Sequence, residues 1–100
     1  MVLECYKLSK MLPDDERFAL VQQIRRAATS VSLNLAEGCS SKTSPDRRRF
    51  FEMARSSVVE IDSIIDHFYD LHYCTKADMQ PCGDLLLRIF KMLSSMMSKS

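Results

Sequence analysis

Apolar residues recur along this chain at intervals of three and four and nowhere alternate at two, so the pattern predicts helices and no strand. Breaks fall at Pro13, at residues 38–45 and at residues 74–83, leaving four amphipathic segments. The first, residues 2–12, sets Leu3, Tyr6, Lys7 and Lys10 among apolar neighbours and stops before Pro13. The second, residues 15–37, opens on Asp14 as a cap and acids that suit a helix start. It carries a stripe of Val21, Ile24, Ala28, Val31 and Leu35, and Gly38 is its expected stop.

The third segment, residues 45–73, has Ser44 as its expected cap and Pro45 as first helical residue. Phe50, Ala54, Ser57, Ile61, Ile64, Phe68 and Leu71 mark its seam. The fourth, residues 81–98, carries Leu86, Ile89, Leu93 and Met96, widened by Leu85, Phe90, Met92 and Met97. Residues 75–78 before it read as a separate capped turn. Four such helices joined by short loops predict an all-α fold: a single-domain, antiparallel, up-down-up-down four-helix bundle over residues 1–100.

One stretch departs from ordinary amphipathicity. From Ala27 to Ala36 the chain carries no charge, although a surface stripe usually holds several per two turns. On a wheel of about 100° per residue, Arg26, Ser30, Leu33, Asn34 and Glu37 form a flank away from the core stripe. Small hydroxyls and Leu33 there suit close approach by another chain. These five residues are the candidate oligomer interface.

Length and composition fit one globular domain: 46% hydrophobic and 27% charged, with two glycines and three prolines. No uncharged run approaches the roughly 20 apolar residues of a membrane span, and the N-terminus lacks a secretory pattern. A cytoplasmic protein that keeps Cys5, Cys39, Cys74 and Cys82 as thiols is expected. The net charge of +1 is uneven, +3 over residues 1–50 and −2 over residues 51–100.

No constellation for catalysis emerges, so no enzyme, cofactor or metal is expected. Neither histidine follows a glutamate by three, as a di-iron bundle would need, and the cysteines lack paired zinc spacing. Asp62, Asp66 and Asp70 read as a solvated face. Arg47, Arg48 and Arg49 are more telling, because cations at a helix start oppose the macrodipole. Together with Lys42, and with the Lys99 end at the same pole, they could hold a phosphate. An equal alternative is a merely solubilising run.

The runs LPDDERFALVQQIRRAATSVSLNLAEG, then RFFEMARSSVVEIDSII, then IFKML carry a family likeness. The chain resembles the bacterial four-helix-bundle family first noted as open reading frames in intervening sequences of large-subunit ribosomal RNA. Matching positions are Pro13, Glu16, Phe18, Leu20, Gln23, Arg25, Arg26, Ala27, Ser30, Asn34, Ala36, Glu37 and Gly38, continuing through Phe50, Ala54, Arg55, Ser57, Glu60 and Met92–Leu93. Ala19, Ser32 and Ser56 depart from its glycine, proline and glycine.

The resemblance implies a ring-shaped homopentamer. It also implies kinship with accessory proteins of diversity-generating retroelements, which bind a reverse transcriptase and RNA or DNA. The expectation is a non-enzymatic, self-associating adaptor that meets RNA, DNA or a nucleoprotein through Lys42, Arg47, Arg48, Arg49 and Arg25. The alternative is a purely protein-binding scaffold.

Overall fold

The computed structural model describes residues 14–72 and 74–99. The expected helix over 2–12 lies outside the described residues, as do the side chains of Asp14 and Val21. Three helices account for the remainder: α1 (Asp14–Ser40), α2 (Ser44–Asp70) and α3 (Lys76–Ser98). No strand occurs among the described residues. The molecule measures 45 × 22 × 18 Å, its long axis set by 27-residue helices that each run about 40 Å.

α2 is the spine. It packs along both α1 and α3, whereas no Cα of α1 comes within 8 Å of a Cα of α3 among the described residues. Two neighbours require a wide apolar face, and α2 buries Phe51, Ala54, Val58, Ile61, Ile64, Ile65 and Phe68. α1 contributes Ile24, Ala27, Ala28 and Val31, and α3 contributes Cys82, Leu86 and Leu93. Each set repeats at three and four because only those spacings return to one side of an α-helix.

Polar contacts fix the register of each seam. Between α1 and α2, Ser57 Oγ lies 2.8 Å from Ser30 Oγ and 3.2 Å from the Met53 carbonyl oxygen. Asn34 Nδ2 donates to the Ser30 carbonyl oxygen at 2.9 Å, closing a local network. Between α2 and α3, Arg55 Nη1 donates to Ser94 Oγ at 3.1 Å, and its guanidinium lies over the Phe90 ring at 5.4 Å.

Helix boundaries differ from the sequence reading in four places. α1 does not stop at Gly38 but runs to Ser40. A side chain at 38 would collide with the Phe51 ring, so the glycine permits close packing rather than ending the helix. α2 is capped by Thr43, whose hydroxyl accepts from the Asp46 amide at 3.3 Å, while Ser44 is already helical. It ends at Asp70 because His72 takes a left-handed conformation, φ 62°, leaving Leu71 exposed rather than in the seam.

α3 starts five residues before Pro81. Thr75 and Asp78 form a reciprocal capping box: the Asp78 amide donates to Thr75 Oγ1 at 3.2 Å, and the Thr75 amide donates to Asp78 Oδ2 at 2.9 Å. Residues 75–78 are therefore the helix start itself, and exposed Pro81 is tolerated inside the second turn. At the beginning of α2, Phe51 rather than Phe50 is the buried aromatic, since it faces Gly38.

Candidate nucleic-acid interface and self-association face

The basic pole is the turn between α1 and α2. After Ser40 the chain passes through Ser41, Lys42 and Thr43, and Thr43 and Pro45 launch α2 so that Arg47, Arg48 and Arg49 fall in its first turns. The structure divides the three arginines by role. Arg47 is half-buried, and its Nη1 donates to the Ser41 carbonyl oxygen at 3.2 Å, tying the turn to α2.

Arg49 lies over the Phe50 ring at 4.9 Å and approaches Asp46 at 3.9 Å, a contact between exposed groups that contributes little. Arg48 and Lys42 are exposed. Antiparallel packing of α3 on α2, fixed by Arg55 and Ser94, returns the Lys99 end to this same pole. Arg25 does not join it. It is exposed on α1 thirteen residues before Gly38, about 20 Å along the helix axis.

The uncharged flank of α1 is open. Leu33 is 61% exposed, and with Arg26, Ser30 and Asn34 it lines a shallow depression along the helix. Glu37 is exposed one turn beyond Leu33. Ser30 and Asn34 turn partly towards α2, where the serine pair is formed, so two of the five interface candidates also hold the α1–α2 seam. The register set by Ser30 and Ser57 brings Met53, 47% exposed, opposite this part of α1.

A second open apolar surface escaped the sequence reading. Val58, Val59, Leu86, Leu87 and Phe90 line a groove of about 240 Å³ between α2 and α3, with Asp62 at its edge. Val59 is 50% exposed and Leu87 52%. Burial against this groove pushes the Asp62 carboxyl up from its ordinary value, and Asp66 one turn on adds repulsion in the same direction. Val59 and Leu87 each directly follow a buried apolar residue, Val58 and Leu86, and neither was singled out from the sequence. The available signal was of the kind Leu33 gives: a large aliphatic side chain turned about 100° or more away from the buried stripe.

The turn between α2 and α3, with the start of α3, carries two further groups with shifted ionisation, Cys74 and Asp78. Burial raises the Cys74 thiol, with Asp78 adding to the effect. That makes it a poorer nucleophile than an ordinary cysteine. Among the described residues, no three of the His, Cys, Asp and Glu side chains gather as metal ligands would. No described helix is long and apolar enough to cross a membrane.

The family model described as 23S rRNA-intervening sequence protein matches residues 1–95. No curated protein matches the chain.

Proposed function

The chain belongs to the 23S rRNA-intervening sequence protein family, and from that premise we propose a non-enzymatic, self-associating helical adaptor that binds RNA through its basic pole. The observation that carries the reading is the exposure of Arg48 and Lys42 beside the amides that start α2. An exposed guanidinium and an exposed ammonium at the positive start of a helix suit a phosphodiester backbone. Arg47 serves the pole indirectly by holding the turn.

The RNA is met alone or in a nucleoprotein, of which a reverse transcriptase complex is one form. The described helices support a four-helix bundle: α1 and α3 flank α2 without close approach of their backbones to each other, as three successive members of an up-down-up-down bundle do. A ring-shaped homopentamer built through the Leu33 flank would set five copies of the pole on one rim. That would multiply a field that the net charge of +1 understates.

RNA affinity measured against salt tests the pole. A double variant, Arg48→Ala with Lys42→Ala, should flatten the slope of log K against log salt by roughly 0.7 for every phosphate that each copy ceases to neutralise. Salt-independent binding, or an unchanged slope in the variant, would refute the RNA reading. Capture of a partner that survives nuclease would favour a purely protein-binding scaffold. Leu33→Glu should yield smaller species by light scattering, and an unchanged assembly would remove the self-association face.

A further inference from the structure

The outward stripes of α1 and α2 carry the same order of groups, cation, aliphatic residue, anion, with the two spacings exchanged, so they become complementary when the helices run antiparallel. On α1 the order is Arg26, Leu33, Glu37: a cation seven residues before an exposed aliphatic residue and an anion four residues after it. On α2 the order is Arg55, Val59, Asp66: a cation four residues before an exposed aliphatic residue and an anion seven after it. Both trios share one side of their helix, because steps of four and seven return to nearly the same direction. The spacings are equal, about 10.5 Å from the aliphatic residue to one charge and about 6 Å to the other.

Laid antiparallel to α2, the α1 stripe would therefore meet an opposite charge at each end and the apolar groove in the middle. The two stripes lie on different seams, so a molecule cannot satisfy its own. We infer that the groove between α2 and α3 receives the α1 stripe of a second copy of this chain. Leu33 sits over Val59 and Leu87, Arg26 faces Asp66, and Glu37 faces Arg55. This rests on the self-association reading above and names what the Leu33 flank binds.

Arg55 can take the added partner. Its Nη1 is committed to Ser94, and a guanidinium has five N–H donors. Exposed Leu87 supplies the far wall, and the open space within 4 Å of a side chain at Gly83 keeps that end of the groove accessible.

The pairing also fixes the polarity of assembly. α1 and α2 are antiparallel within a copy, so an incoming α1 antiparallel to α2 is parallel to the α1 already there. All copies then point the same way, and the contact is heterologous, one surface against a different one. Such a contact produces a ring or a filament and never a lone two-fold dimer.

Complementation tests this. Leu33→Glu spoils the stripe and keeps the groove; Leu87→Glu spoils the groove and keeps the stripe. Both positions are exposed, and unchanged helical circular dichroism would verify folding. Each variant alone should be monomeric by sedimentation velocity, and an equimolar mixture should form a one-to-one heterodimer and go no further.

Wild-type-like assembly by Leu87→Glu, or a mixture that stays monomeric, overturns the inference. If Leu33→Glu dissociates while Leu87→Glu does not, the Leu33 flank survives as an interface and only its assigned partner fails. A charge exchange needs no disruptive residue: Arg26→Asp should weaken assembly and Asp66→Arg added to it should restore it. No restoration counts against the pairing. The RNA reading stands or falls separately, on the salt slope.

Discussion

Two glycines inside helices should respond in opposite directions to the same substitution. Alanine in place of glycine favours a helix interior by about 1 kcal/mol. At Gly83 nothing lies within 4 Å of the added methyl, so Gly83→Ala should retain that gain of about 1 kcal/mol. At Gly38 the methyl would sit 2.6 Å from Phe51 Cδ1 and closer still to Cε1. The ring is 3% exposed, so it cannot swing into solvent without leaving the core. Overpacking of this kind costs about 1–3 kcal/mol. Gly38→Ala should therefore destabilise by up to about 2 kcal/mol after the propensity gain is subtracted.

Urea unfolding at equal protein concentration measures both, since association adds a concentration-dependent contribution to apparent stability. Unchanged slopes with shifted midpoints would place the effects on the native state. Phe51→Leu supplies the internal control. It removes Cε1 and Cζ and leaves a smaller, branched end, so Gly38→Ala made in that background should lose much of its penalty, a coupling that a double-mutant cycle reads directly. Gly38→Ala more stable than the parent, as Gly83→Ala should be, would refute the close-approach argument.

Other expectations follow from single contacts. Thr75→Ala should cost about 0.5–2 kcal/mol by removing the cap of α3. Hydrogen bonds from the Thr75 amide and hydroxyl hold the Asp78 carboxyl below its ordinary value. Its contribution is therefore present above the ordinary carboxylate range and lost as pH falls through the depressed value, a loss that Asp78→Asn should abolish in acid titrations of helix content. Asp62 has the reverse sign: the folded state holds its proton more tightly, so its effect on stability worsens as pH rises through the raised value. Asp62→Asn should raise the urea midpoint near pH 7 and leave it little changed near about pH 3, where the parent carboxyl is already neutral. Ser57→Ala should cost about 0.5–1.5 kcal/mol in the same assay, by deleting the hydrogen bond across the α1–α2 seam.

The helical class and most of the core were legible because they depend on spacing alone. Ile24, Ala28 and Val31 are buried where a three-four rhythm puts them, and Ile61, Ile64 and Phe68 likewise. What was not legible depends on residues far apart in sequence. Gly38 read as a stop because only the fold brings Phe51 against it. Pro81 read as a start because the Thr75–Asp78 box, which decides the matter, is four residues long and lies upstream.

The candidate site divides the same way. Leu33 was visible as an aliphatic residue among polar neighbours, whereas Val59 and Leu87 were hidden beside buried Val58 and Leu86. Arg47, Arg48 and Arg49 are identical letters. Only the Ser41 carbonyl and the Phe50 ring distinguish the one that holds the turn from the one that faces solvent.

The separation of α1 from α3 by α2 has a kinetic consequence. Each forms a hairpin with α2 across a short turn, so the contacts required are local and the loops to be closed are small, which favours folding in microseconds to milliseconds. Neither hairpin needs the other in order to begin. The chain can nucleate on either side of α2, and a slow step on one side leaves the other route open. Substitutions in α1 or α3 should then divert folding between routes, whereas those at Ile61 or Ile65 slow both at once.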